Sequence, residues 1–316
     1  MRYLLELSKE DIAFSSEEVK SLIKNKHSFL IGNFLLIDSN DKEIEFLSNR
    51  LGFTRRIFKV LFLCMEKNLE KYIKKFNFDN IYDGNFLLRL KYKSKMSEKE
   101  MASLIWRRLK KPKVKLRNAK TQFFVFKLKD GIFFTLLERE IYHDYLSRKA
   151  HKRPKLHPTS LHPKLARALI NLTGIKKGTL VDPMCGSGGV LIEAGLMNLK
   201  PVGYDIDNEM IERAKVNLDY YKVKNYSLVS KDFNNVNKKI NFIVCDLPYG
   251  LNTRQKDLSK LYDSFLSQLR KNLGKRAVVV FPGNYEKLIK KNKFKIINKF
   301  SVYIHKSLTR RIFILE

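Results

Sequence analysis

Acidic residues are scarce in this chain: 32 Asp and Glu stand against 63 Lys and Arg in 316 residues, a net charge of +31. So large an imbalance costs self-repulsion in a compact state and favours a polyanionic partner, for which nucleic acid is the natural reading. Cysteine is scarcer still. Cys64, Cys185 and Cys245 have no paired spacing, which excludes a disulfide-stapled scaffold and points to a reducing, cytoplasmic setting. No apolar run reaches the length of a membrane span, and the Met1–Leu7 start carries Arg2 and Glu6 in place of a signal-peptide core. Hydrophobic residues nevertheless make up 44%, which excludes wholesale disorder.

What is there divides into segments. Residues 1–60 read as a small α+β unit. It has a strand at Tyr3–Leu7, a short helix capped by Ser15 or Ser16, and β-rich runs at Ser28–Ile37 and Arg56–Leu63 around an acidic turn at Asp38–Glu43. Residues 61–140 repeat the style. A helix carries Met65, Leu69, Ile73 and Phe76, a strand covers Asn85–Leu90, a second helix opens with the capping-box pattern Ser97-Glu98-Lys99-Glu100, and strands follow at Gln122–Leu128 and Gly131–Leu137. Inside this unit Arg107, Arg108, Lys110, Lys111, Lys113, Lys115 and Arg117 follow one another without an acid, which suits phosphate contact. Residues 141–163 form a Pro-rich, basic linker whose Lys152 and Arg153 are expected along RNA or beside the cofactor pocket. His143, His151, His157 and His162 fall around it, but with no cysteine near them a metal is not expected.

Residues 164–316 alternate strand and helix as a doubly wound domain does, with functional loops at the carboxyl ends of the strands. The first such end is Asp182-Pro183-Met184-Cys185-Gly186-Ser187-Gly188-Gly189, an acid followed by a glycine-rich turn into a helix. Glycines there permit a sharp turn, and the helix start offers backbone N–H groups to an electron-rich ligand. A second strand ends at Asp205, where a carboxylate can accept hydrogen bonds from a ribose, and together the two ends point to a nucleoside-containing cofactor. A further strand ends in Asp246-Leu247-Pro248-Tyr249-Gly250. An aspartate and the Leu247 carbonyl can hold the two N–H groups of an exocyclic amine while the Tyr249 ring stacks on the base. The amine lone pair is delocalised into its ring, so directing it and stabilising the charge it develops is what an attack on a methyl sulfonium needs.

These motifs resemble the class I S-adenosylmethionine-dependent amino-methyltransferases. The lead-in from Arg153-Pro154-Lys155-Leu156-His157-Pro158 to Leu169 is similar to that of the archaeal THUMP-domain tRNA guanine N2-methyltransferases, which modify the guanosine at position ten. Met184 and Leu247 stand where that pattern more often has an aromatic and a second proline, and neither removes a polar group. The resemblance implies an α/β fold: a Rossmann-like class I methyltransferase domain behind N-terminal α+β ferredoxin-like (1–60) and THUMP RNA-binding (61–140) domains. It also implies roles. Asp182, Gly186 and Gly188 hold the methionine part of the cofactor, Asp205 the ribose, and Ile206 and Asp232 the adenine. Asp246, Leu247, Pro248 and Tyr249 hold the target guanine, and the THUMP domain grips the acceptor end of tRNA, the base being flipped out of its helix. A monomer is expected, with an accessory subunit left open, as is the number of methyls added. Two other classes share part of the pattern, a nicotinamide oxidoreductase and a catalytically silent tRNA-binding protein. The first leaves Asp246–Tyr249 unexplained, and the intact motifs speak against the second. The alternatives within enzymes are another guanosine of tRNA or of another RNA, and another amine such as DNA adenine or protein glutamine.

Overall fold

The computed structural model describes residues 1–24, 27–129, 131–156, 160–249, 258–305 and 308–316. His157, Pro158, Thr159 and Gly250, which belong to the motifs above, lie outside the described residues. The chain forms two compact units. One comprises Met1–Ser16, Ile23–Asn49 and Thr54–Tyr142; the other comprises Glu17–Leu22, Arg50–Phe53 and His143–Glu316.

Along the chain the first elements are β1 (Arg2–Leu7), α1 (Ile12–Leu22), β2 (Ser28–Ile31), β3 (Phe34–Asp38), α2 (Asp41–Arg50) and β4 (Thr54–Cys64). Then come α3 (Leu69–Lys75), β5 (Phe86–Leu90), α4 (Glu98–Trp106), β6 (Thr121–Leu128) and β7 (Gly131–Glu140). The seven strands form one sheet in the order β2-β3-β1-β4-β7-β6-β5. The sequence predicts a junction at residue 60, but β4 runs straight through it and pairs with β1 on one side and β7 on the other. Backbone pairing therefore fuses the two front segments into a single layer. In β6 the period-2 alternation is visible in the packing: Phe123 and Val125 join one apolar cluster, Phe124 and Phe126 another. A sheet buried on both faces explains the near-continuous apolar run of this strand. The acidic stretch expected as a turn is the start of α2, with the Asn40 side chain accepting from the Glu43 N–H at 3.0 Å. Helix α1 begins before Ser15, where Asp11 accepts the Phe14 N–H at 2.9 Å. The Ser97–Glu100 capping box opens α4 as expected.

The second unit continues with α5 (Pro163–Leu172), β8 (Thr179–Asp182), α6 (Gly189–Leu196), β9 (Lys200–Asp205), α7 (Asn208–Tyr220), β10 (Ser227–Ser230) and β11 (Ile240–Asp246). It closes with α8 (Leu258–Asn272), β12 (Leu273–Phe281), α9 (Glu286–Lys291), β13 (Ile296–His305) and β14 (Leu308–Leu315). Its sheet order is β10-β9-β8-β11-β12-β14-β13, with β14 antiparallel to both neighbours and the other pairings parallel. The chain winds outward from β8 to β10, then returns to β11 on the opposite side of β8. That reversal is a topological switch point, and a crevice opens there beyond the strands' carboxyl ends. The sheet centre is apolar throughout: Val181, Ile243, Cys245, Val279 and Phe281 belong to a buried cluster with Tyr262, Phe265 and Leu269 of α8. Each such side chain contributes roughly 2 kcal/mol by burial.

Part of this unit's interior comes from the front of the sequence. Glu18, fully buried, accepts the N–H groups of Gly52 and Phe53 at 2.8 and 2.9 Å and the Asn171 amide at 2.8 Å. Arg50 donates to the Asn171 side chain and to the Ile175 and Lys176 carbonyls.

Candidate active site

Four strand ends meet at the switch point. Asp182 closes β8, Asp205 closes β9, Asp232 follows β10 and Asp246 closes β11, because parallel strands in register deliver their last residues to one edge. Asp182, Gly186, Asp205, Ile206, Asp232, Asp246 and Pro248 line one cavity of about 530 Å³ together with Ser187, Met210 and Phe233. Gly188, Leu247 and Tyr249 are not on its wall, although Ser187 and Gly189 are. Ser160 and Leu161, from the end of the Pro-rich lead-in, also line it.

The glycine loop is held from both sides. Gly186 (φ +49°) and Gly188 (φ +85°) adopt left-handed backbone, which an L side chain enters only with strain. A Cβ on Gly188 would stand 3.2 Å from that of Ala214, whereas one on Gly186 would meet nothing within 4 Å. The Gly186 N–H donates to Asp205 at 2.9 Å, and the other Asp205 oxygen accepts the Asp207 N–H at 3.0 Å. Asp207 in turn caps α7. Asp182 accepts the Met184 N–H at 3.2 Å; its burial, reinforced by the charges of Asp246 and Asp205, pushes this carboxyl well above the usual range. Asp232 caps the short turn Phe233–Asn235.

Around Asp246 the polar groups are more tightly coupled. Its carboxylate accepts the Tyr249 hydroxyl on one oxygen and faces an Arg310 nitrogen at 3.5 Å on the other. Arg310 also donates from Nε to the Tyr249 oxygen at 2.7 Å. Burial raises the Asp246 carboxyl to about 6, with Arg310 and Tyr249 acting in the opposite direction. The Leu247 N–H donates to the Val280 carbonyl at 3.0 Å, and the Tyr262 hydroxyl donates to the Pro248 carbonyl at 2.5 Å. Leu247 and Pro248 are therefore anchored to β12 and α8.

The basic residues separate into two groups. Arg107, Arg108, Lys110, Lys111, Lys113, Lys115 and Arg117 all lie exposed at the surface. Their segment is bridged to the sheet edge by the pairs Phe86 N–H to Lys113 carbonyl and Lys115 N–H to Phe86 carbonyl, each 2.9 Å. Lys152 is exposed too. Arg153, expected at RNA, is instead 5% exposed. Its Nε donates to the Arg148 carbonyl at 3.2 Å, and its guanidinium sits so close to Gly189 that a Cβ there would be 2.9 Å away. Close packing against the first turn of α6 takes it out of reach of a polyanion. Of the histidines, His162 caps α5 and His143 lies 3.2 Å from the Leu51 carbonyl. Among the described residues no three metal-capable side chains gather. Arg310 carries no signal in the sequence; it lies in β14, far from every motif.

A family model described as "RMKL-like, methyltransferase domain" matches residues 150–310, and one described as "DNA methylase" matches residues 11–216. A protein of Methanothermobacter thermautotrophicus, named tRNA (guanine(10)-N2)-dimethyltransferase, is 29% identical over all of this chain and 99% of its own. A Pyrococcus abyssi protein of the same name is 38% identical over 55% of each chain. The crystal structure of TrmN from Thermus thermophilus superposes with a TM-score of 0.51 at 16% identity, covering 100% of this chain and 99% of that one, a likeness of fold.

Proposed function

The chain belongs to the RMKL-like methyltransferase-domain family, and from that premise we propose that it transfers methyl from S-adenosylmethionine to the exocyclic 2-amino group of a guanosine in tRNA, at position ten. The observation that carries this reading is the cavity on which a glycine loop, three strand-end acids and Asp246 converge. The donor set fits the cofactor. Gly186 leaves open space where a side chain would otherwise stand, Asp205 and Asp232 offer acceptors to ribose and adenine, and Ile206, Met210 and Phe233 supply apolar wall. When bound, the cofactor supplies an electrophilic methyl carbon on a sulfonium.

The chain's own residues supply orientation and charge. Asp246 accepts one amine N–H, and the Leu247 carbonyl accepts the other, aiming the nitrogen lone pair. The Asp246 carboxylate would stabilise the positive charge that passes from sulfur to nitrogen as the methyl–sulfur bond gives way to the N–C bond, and would take the surplus proton. Tyr249 is assigned to the face of the base. The front unit is assigned to the tRNA body as a ferredoxin-like and THUMP pair, supported by the surface run Arg107–Arg117 on its sheet edge.

The match to DNA methylases favours a second reading, an amine of a DNA base. Incubation of the full chain with labelled cofactor and either a tRNA transcript or duplex DNA separates the two. Nucleoside mass spectrometry is expected to find N2-methylated guanosine at position ten of the tRNA. Label in DNA alone, or on another atom of the tRNA, overturns the proposal.

A further inference from the structure

Five of the seven strands of the second sheet are parallel and deliver their carboxyl ends to the cavity edge; β14 is antiparallel and so begins where they end. Its third residue, Arg310, is thereby brought to Asp246, whose strand β11 pairs Asp246 with Val280 of β12, itself paired with Ile312. The residue is 7% exposed. It donates from Nε to the Tyr249 oxygen at 2.7 Å, and its Nη2 stands 3.5 Å from Oδ2 of Asp246. The Tyr249 hydroxyl completes the ring by donating to Oδ1.

We propose that Arg310 is a positioning residue of the transfer, clamping the Tyr249 hydroxyl to the Asp246 carboxylate, which lines the cavity. This deepens the reading of Asp246 as the amine acceptor and rests on it. Burying a cation beside a carboxylate is justified only where the geometry is good, since desolvation of both is costly. Here the cation does what the buried carboxylate cannot do alone: it keeps the charged, accepting form populated near neutral pH. Among the described residues, the other titratable groups near Asp246 do not substitute for it. Asp182 on β8 is a second carboxyl, itself pushed well up by burial, and burial likewise pushes the Cys245 thiol and the Tyr262 phenol upward, so none of the three supplies a positive charge. Holding Tyr249 by its oxygen also restrains the ring assigned to the base.

The test is done on the full-length protein. The Asp246 carboxyl carbon is titrated by NMR with labelled aspartate, assigned with Asp246→Asn and separated from its neighbour with Asp182→Asn. In the wild type it is expected to titrate near 6. In Arg310→Gln and Arg310→Ala it is expected to move up by about one pH unit or more, with Arg310→Lys close to wild type. The acid limb of methyl transfer to tRNA moves with it, while S-adenosylhomocysteine affinity and KM for tRNA stay within about twofold. Turnover at neutral pH falls by about tenfold or more. Should the alanine variant fail to fold, the glutamine variant and Tyr249→Phe decide. Phe at 249 removes the shared hydroxyl and is expected to raise the titration as well. An Asp246 titration unmoved in the Arg310 variants that remove the charge overturns the clamp, whatever the substrate. A wild type that methylates no tRNA, with the titration shifting as described, overturns the proposed substrate and leaves the clamp standing.

Discussion

At the scale of single residues, the proposed transfer rests on Asp246, whose burial makes its carboxyl more basic. Asp246→Ala is expected to lower turnover by about a hundredfold or more while tRNA and cofactor affinity stay nearly intact; single-turnover kinetics beside binding isotherms check this. The wild-type rate is expected to fall about tenfold per pH unit below about 6, where the acceptor protonates, and to be level above it. The same shift has a sign for stability. In the folded protein the carboxyl titrates above its ordinary value of 3.8, so between the two the folded protein holds a proton the unfolded chain has released. Stability therefore falls as pH rises through that window and is level above it. Thermal melts of wild type and Asp246→Asn should diverge between about pH 4 and 6 and run parallel beyond. Asp182, Gly186 and Asp246 are legible in the sequence because each sits in a short local motif. Arg310 is not, since its partner Tyr249 is 61 residues away and only strand pairing brings them together. Arg153 misleads for the converse reason. A basic residue in a Pro-rich segment reads as exposed, and only tertiary packing against Gly189 buries it.

At the scale of elements, the glycine loop separates backbone strain from crowding. Gly188→Ala meets both a left-handed φ and the Ala214 side chain, and is expected to cost about 2 kcal/mol or more. Gly186→Ala meets only the φ, so about 1 kcal/mol is expected, with the larger effect falling instead on cofactor affinity. Melts and calorimetry with S-adenosylhomocysteine distinguish them. The strand and helix order of the second unit is readable because hydrophobic periodicity and punctuation agree there. The front is less so. The start of α2 is crowded with acids that mimic a turn, yet Ile44, Leu47 and Leu51 recur at helical spacing and are buried. The joint expected at residue 60 fails because a strand continues through a region where composition shifts but pairing does not.

Over the whole molecule, the excess of positive charge predicts tRNA binding that weakens steeply with salt. Replacing Arg107, Arg108, Lys110 and Lys111 with alanine should reduce the slope of log affinity against log salt by about one for each phosphate no longer neutralised. Cofactor affinity should be unchanged; filter binding at several salt concentrations reads the slope, and calorimetry the cofactor. Glu18 and Arg50 give the molecule a further property. A gene fragment starting at residue 143 would leave the Asn171 amide and the Ile175 and Lys176 carbonyls without the partners they have in the intact chain. Unmet polar groups of this kind cost roughly 1–3 kcal/mol each, so that fragment should melt well below the full chain. The catalytic half is thus no detachable cassette. Any chimera that swaps its forepart for another RNA-binding head would have to carry along two splints, residues 17–22 and 50–53, borrowed from the part being discarded.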